Sequence, residues 1–148
     1  MAVQMDINLE RSSAMTKISQ LLLSKGNQIW SVKPDTTIFE ALEIMSEKEI
    51  GALLVMENEK LVGIFSERDY ARKVILKGKS SKNTPVGELM TKKVFYIDPQ
   101  KTISECMAMM TNKKIRHLPV LENDNVKDLL VSITGSDLFR YLKAGGNQ

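Results

Sequence analysis

The sequence has one cysteine and one histidine, Cys106 and His117, and that scarcity removes several kinds of chemistry at once. A single cysteine cannot form an internal disulfide, and a metal site of the usual His/Cys kind has no ligand set to draw on. Cys106 falls on the apolar stripe of a predicted helix between Ile103 and Met110, where it reads as core. Aromatics make up only 5% of the chain and are not interleaved with its basic clusters, so the stacking platforms of a nucleic-acid binder are missing. No stretch approaches the roughly 18 apolar residues of a membrane span. Leu21-Leu22-Leu23 is also too short for the core of a signal peptide. The expectation is a cytoplasmic protein with no membrane association.

Catalytic motifs are equally scarce. Gly78-Lys79-Ser80 resembles the end of a phosphate-binding loop, but that motif needs a glycine at position 73, which is Lys73. Nothing around any serine resembles a nucleophile elbow that His117 could serve as base. These criteria favour a non-enzymatic protein with no catalytic residue, no metal and no catalytic cofactor. Two basic clusters, one of Arg72, Lys73, Lys77, Lys79 and Lys82, the other of Lys113, Lys114 and Arg116, read as solvated faces. A net charge of +3 does not demand nucleic acid and fits an anionic small ligand.

What the chain does contain is a duplication. At an offset of 65, Val32 matches Ile97, Pro34 matches Pro99, Thr37 matches Thr102, Ile38 matches Ile103 and Glu40 matches Glu105. The match continues through Met45 with Met110, Ile50 with Ile115 and Val55 with Val120. After Leu121 the offset becomes 68, pairing Ser66 with Thr134 and Asp69 with Asp137, so the second copy carries three extra residues. A period present only twice argues for two small interdependent units closing on each other and against a long solenoid.

Taken in order, Met1 to about Ser13 shows no period and is expected to be a flexible arm. Met15, Ile18 and Leu22 form a helical stripe ending at Gly26. The first copy then reads as a strand at Ile29–Val32, a helix capped by Thr37 and Glu40 and broken by Gly51, strands at Ala52–Met56 and Leu61–Phe65, and a helix from Glu67 to Leu76. Lys77 to Pro85 reads as linker, with one helical turn at Val86–Met90. The second copy repeats the order: a strand at Val94–Ile97, a helix capped by Thr102 and Glu105, strands at His117–Leu121 and through Ile133, and a helix at Ser136–Leu142. The expected fold class is α/β (α+β), two pseudo-symmetric β-α-β-β-α units packed as one module with an N-terminal helix. The boundaries are an arm at 1–13, helix and first unit at 14–78, linker at 79–91, second unit at 92–144 and a tail at 145–148.

The stretch that organises this pattern is Leu61-Val62-Gly63-Ile64-Phe65-Ser66-Glu67-Arg68-Asp69, a buried strand opening onto a helix start. Ser66 and Asp69 have the spacing of a capping box. The same turn gathers backbone N–H groups and a carboxylate at one sheet edge, where a small polar ligand can be gripped.

These residues, together with Asp35-Thr36-Thr37-Ile38-Phe39-Glu40-Ala41, Ile50-Gly51-Ala52-Leu53-Leu54-Val55 and Ile115-Arg116-His117-Leu118-Pro119-Val120, resemble the tandem CBS (cystathionine β-synthase) domain. The resemblance is to its stand-alone bacterial signal-transduction type and spans about Ile18 to Leu142. It implies a regulatory module that binds AMP, ADP, ATP, NAD or S-adenosylmethionine in a cleft between its two units and forms a homodimer. By that resemblance Asp69 and Asp137 hold ribose hydroxyls, and Ser66 and Thr134 lie by the ribose-phosphate. Arg116 and His117 face phosphate, and adenine sits near Ile50, Gly51 and Ala52. Thr37 and Arg68 join the implied contacts. Such binding is chemically sensible, because a carboxylate can accept from both hydroxyls of a cis-diol. The second copy departs from the pattern with Val131 where the first has Gly63. Glycine lets a backbone approach a ligand closely, so the expectation places the primary site at Ser66 and Asp69.

The output would be binding to a separate protein target. Two other readings stand beside this one. In the first the chain is a ligand-free dimerisation or docking module whose two Asp residues are helix caps only. In the second, which the charge pattern disfavours, it binds nucleic acid.

Overall fold

The computed structural model describes residues 7–26 and 28–145. Residues 1–6 of the expected arm and 146–148 of the expected tail lie outside the described residues. In chain order the elements are α1 (Ile7–Met15), α2 (Ile18–Lys25), β1 (Ser31–Val32), α3 (Ile38–Lys48), β2 (Ala52–Glu57), β3 (Lys60–Ser66) and α4 (Glu67–Asp69). There follow α5 (Val86–Leu89), α6 (Ile103–Lys113), β4 (His117–Leu121), β5 (Leu129–Thr134) and α7 (Gly135–Lys143). They form two compact units, one of residues 29–94 and one that joins the chain before residue 29 to the chain from Phe95 onward.

In the 29–94 unit a three-stranded sheet runs β1-β2-β3, parallel at its first pair and antiparallel at its second. Val, Leu and Ile in β2 and β3 suit a pleated surface buried against a helix. Val32, Ile38, Ala41, Met45, Leu53, Val55, Phe65, Val74 and Val86 form the core. The β2–β3 turn places Asn58 and Glu59 at φ 50° and 64°, the positive values that a tight two-residue hairpin with right-handed strand twist requires. Beyond Asp69 the helix widens into a π-helical stretch at Tyr70–Ile75, where the periodicity predicts an ordinary helix through Leu76.

The split unit repeats the plan. β4 and β5 pair antiparallel, and both hairpins carry the same irregularity, after Val55 in one and after Val120 in the other. The strand expected at Val94–Ile97 is reduced to one parallel bridge from Ile97 to Val120, the counterpart of Val32 beside Val55. The three extra residues are absorbed by a short 3₁₀ turn at Glu122–Asp124. Both long helices end in a left-handed residue, Glu49 at φ 56° and Lys114 at φ 55°, so Gly51 is not the residue that terminates α3.

Two further expectations change. Residues 7–13 of the expected arm belong to α1, which packs against α6 and α7 and buries Ser13. The sequence hides this helix because Ile7 and Met15 stay exposed and only Leu9 packs onto the core, so no apolar stripe shows.

The second concerns α2, grouped with the first copy in the 14–78 boundary. Its Ile18 and Leu21 are buried in the core of the second copy, with Ile97, Ile103 and Leu138. Ile18 N donates to Lys101 O at 2.8 Å, Ser19 N to Pro99 O at 2.9 Å, and Ile103 N to Thr16 O at 2.9 Å. In the 29–94 unit Val86 N donates to Thr36 O at 2.7 Å, Gly87 N to Pro34 O at 2.8 Å, and Ile38 N to Thr84 O at 3.0 Å. The two sets of bonds correspond residue for residue. The segment that precedes each copy in sequence therefore closes the other copy in space.

Cys106 lies in the split unit's core, where burial pushes its thiol up to about 12. Such a thiol is inert in the native fold.

Ile18 supplies the test of this closure. Ile18→Ala is expected to cost about 2–5 kcal/mol by urea unfolding, the range of a fully buried core truncation. A loss below about 0.5 kcal/mol, the range of surface substitutions, would contradict the assignment of α2 to this core.

Candidate functional site

Each unit builds the same corner where its second hairpin strand turns into a helix. In the 29–94 unit Ser66 ends β3, and its Oγ accepts from Asp69 N at 3.2 Å. In return Asp69 Oδ2 accepts from Ser66 N at 2.9 Å and from Ser66 Oγ at 3.1 Å. These bonds satisfy N–H groups that a helix start leaves without intrahelical partners. Hairpin register puts Ala52 opposite Ser66, and Gly51 O accepts from Glu67 N at 3.0 Å. Gly51, Ala52, Ser66 and Asp69 therefore meet at one corner, with Ile50 half-buried against the core next to them in the chain.

The split unit does the same with Thr134 and Asp137. Asp137 N donates to Thr134 Oγ1 at 3.1 Å, and Thr134 N to Asp137 Oδ2 at 2.9 Å. His117 stands opposite Thr134 in the hairpin, and Arg116 O accepts from Gly135 N at 3.3 Å. Arg116 is exposed and His117 half-buried.

Two residues of the expected set have other surroundings. Thr37 caps α3 by accepting from Glu40 N at 3.1 Å, without the reciprocal bond that Glu105 makes to Thr102, and its backbone bridges Pro85. Arg68 is exposed on the first turn after Ser66.

The two carboxylates differ in what else they hold. Asp69 Oδ1 accepts from Thr91 Oγ1 at 2.9 Å and meets Lys73 Nζ at 3.0 Å. Lys73 Nζ also donates to Leu89 O at 3.2 Å. Asp137 meets Lys25 Nζ through Oδ2 at 2.9 Å and Arg140 Nη2 through Oδ1 at 2.7 Å. Burial would raise the Asp137 carboxyl, but the bonds from Lys25 and the Thr134 N–H outweigh it and hold the group below its ordinary value.

Lys73, Thr91, Lys25 and Arg140 were not among the sequence candidates. Lys73 and Arg140 were readable, four and three residues after their aspartates on a helix. Thr91 and Lys25 reach in from segments whose placement depends on the reciprocal closure and carry no local signal.

The structure also gives Gly63 a different reason. A Cβ there would overlap Met90 Sδ and lie 3.1 Å from Thr91 O, so the glycine makes room for a neighbouring segment of its own unit. Thr91 seats itself there by two backbone bonds with Ile64, at 3.0 and 2.8 Å. Val131 occupies the matching position without strain, buried and paired with Val120. Among the described residues, no group of three or more His, Cys, Asp or Glu gathers as a metal site would need.

Two copies of one fold, each turning from hairpin to helix through a capped Ser/Thr-x-x-Asp corner, define a tandem-repeat α/β module. The CBS domain model matches residues 18–76 and 86–144, and the chain belongs to the CBS domain family. It is 36% identical over 135 residues to the mitochondrial CBS domain-containing protein CBSX3 of Arabidopsis thaliana, covering 84% of this chain. It spans 64% of that relative's length and 20–22% of three further Arabidopsis CBS domain-containing proteins. Among solved structures it is similar to a protein with CBS domains from Burkholderia ambifaria MC40-6, at 41% identity and TM-score 0.82 over 90% of this chain and 98% of that one. The CBS domain pair of protein MJ0100, in complex with 5′-methylthioadenosine and S-adenosyl-L-methionine, shares the fold at 21% identity and TM-score 0.74, over 88% of this chain and 98% of that one.

Gly63→Ala is expected to cost about 1–3 kcal/mol, as overpacking does. Adding Met90→Ala should recover part of the loss, because the Met90 side chain makes the closest approach. Thermal melts of both variants decide it: a neutral Gly63→Ala would show that Met90 and Thr91 do not press on this strand.

Proposed function

We propose that the chain is a regulatory module that binds an adenosyl compound through its Ser/Thr-x-x-Asp corners, acting as an energy or metabolite sensor without catalysis. One observation carries the reading: each unit brings a strand-to-helix carboxylate together with residues that the family resemblance assigns to the ligand, those for adenine in one unit and those for phosphate in the other. Gly51 and Ala52 lie beside Ser66 and Asp69, and Arg116 and His117 beside Thr134 and Asp137. The adenosyl compounds in complex with the MJ0100 pair support the ligand class.

AMP, ADP, ATP, NAD and S-adenosylmethionine share the ribose cis-diol and adenine such a corner recognises. The Arg116 guanidinium is suited to a phosphate where the ligand has one. Signalling requires the ligand to favour one arrangement of the protein over another. A homodimer acting on a separate protein target completes the proposal. Self-association is supported by exposed apolar side chains, Phe39, Ile75 and Leu76 in one unit and Phe139 in the other.

A second reading, a ligand-free docking module, draws on the occupancy of the carboxylates. Asp69 already accepts from Ser66, Thr91 and Lys73 and is accounted for as a structural cap.

Thermal unfolding of nucleotide-free protein with each of the five compounds separates the two. A compound at 100 times its dissociation constant should stabilise by about 2.7 kcal/mol and raise the midpoint by several degrees. No shift with any of the five would favour the docking module.

A further inference from the structure

We propose that the two corners are not equivalent, that the chain takes one adenosyl ligand at Asp137, and that Lys73 and Thr91 lock Asp69 against it. This rests on the adenosyl reading above and adds which carboxylate serves and which residues decide it.

A carboxylate offers about four acceptor positions, and a ribose cis-diol asks for two. All four positions of Asp69 are filled by protein donors: Ser66 N and Ser66 Oγ at Oδ2, Thr91 Oγ1 and Lys73 Nζ at Oδ1. The donors at Oδ1 are themselves held. Thr91 is fixed by its paired backbone bonds with Ile64, and Lys73 by its further bond to Leu89 O. A diol entering here would displace the Thr91 hydroxyl and the Lys73 ammonium from the acceptor they share, on a carboxylate only 8% exposed.

Asp137 Oδ2 accepts from Thr134 N and Lys25 and Oδ1 from Arg140, and the Thr134 hydroxyl is a further donor to the carboxylate. The donor at Oδ1 belongs to the Arg140 side chain, 73% exposed and free to swing into water. Its departure frees Oδ1 from its cation, and solvent around so exposed a guanidinium weakens its hold on the carboxylate. The released guanidinium and the exposed Arg116 next to His117 leave cationic groups for a phosphate.

The asymmetry follows from the segments that close each unit. α2 stays helical for eight residues and delivers Lys25 to Asp137 from its last turn. α5 runs for only four residues, and the chain beyond it pairs with β3 and brings Thr91 to Asp69. Gly63 makes the room for that pairing, so the motif glycine serves the lock, and Val131 belongs to the corner that does without one.

Binding stoichiometry tests the assignment. The nucleotide-free full chain is titrated calorimetrically with AMP, ADP, ATP, NAD and S-adenosylmethionine, alongside Asp69→Ala, Asp137→Ala and the double variant Lys73→Met/Thr91→Val. Circular dichroism verifies the fold of each. A probe that binds is expected at one equivalent per chain, with affinity reduced roughly ten-fold or more by Asp137→Ala. The double variant should bind a second equivalent through Asp69, a gain that no loss of folding can imitate. Two equivalents in the unmodified chain, binding lost with Asp69→Ala alone, or no gain in the double variant would overturn the assignment while leaving the adenosyl reading in place. No binding by any of the five probes would instead bring down the adenosyl reading itself.

Discussion

Reciprocal closure is the constraint on which the rest of this structure depends. Residues 16–19 bond the turn at 99–103, and residues 84–87 bond the turn at 34–38. Each contact also delivers an apolar side chain, Ile18 or Val86, into a core that would otherwise lack it. Three backbone bonds and one or two buried aliphatic residues, Val86 on one side and Ile18 with Leu21 on the other, are a small interface, but these units are too small to spare any of it. The duplication therefore does more than repeat a fold, because each copy depends on the chain that introduces the other.

The same constraint shapes the two corners. A Ser or Thr cap and an Asp three residues later are identical in outline in both units, since that spacing is what a helix start needs to satisfy its N–H groups. What distinguishes the corners arrives with the closing segments: a lysine from α2 at one carboxylate, a threonine from the strand-like chain after α5 at the other. The glycine of β3 is explained by this difference, since it is the residue over which Met90 and Thr91 are laid. Each corner carboxylate is thus a structural carboxylate, and its availability to any further partner depends on how firmly its structural partners are tied down.

Much of the fold was legible in the sequence because its signals are local. The caps at Thr102, Ser66 and Thr134 form in both directions as their spacing predicts, Thr37 caps α3 without the return bond from Glu40, and the strand at His117–Leu121 has the boundaries its composition suggests. The signals that failed are those that depend on tertiary placement. α1 hides because Ile7 and Met15 face solvent. The glutamate that ends α3 in a left-handed conformation carries no glycine to announce it. Repeat matching does relate Thr16-Lys17-Ile18 to Thr84-Pro85-Val86, but similarity cannot say which copy a segment packs upon. For the site, the corner residues were readable as motifs, whereas Thr91 and Lys25 belong to it only through three-dimensional closure.

The most direct test of the central claim is to compare two fragments of nearly equal length, residues 29–94 and residues 14–78, by amide NMR dispersion and urea unfolding. Reciprocal closure requires that 29–94, which contains Val86 and its bonds to Pro34 and Thr36, give a dispersed spectrum and a cooperative transition. Residues 14–78 carry α2 without its core and lack the segment that closes the first copy, so they should give neither. A cooperative 14–78 fragment beside an unstructured 29–94 would contradict the account.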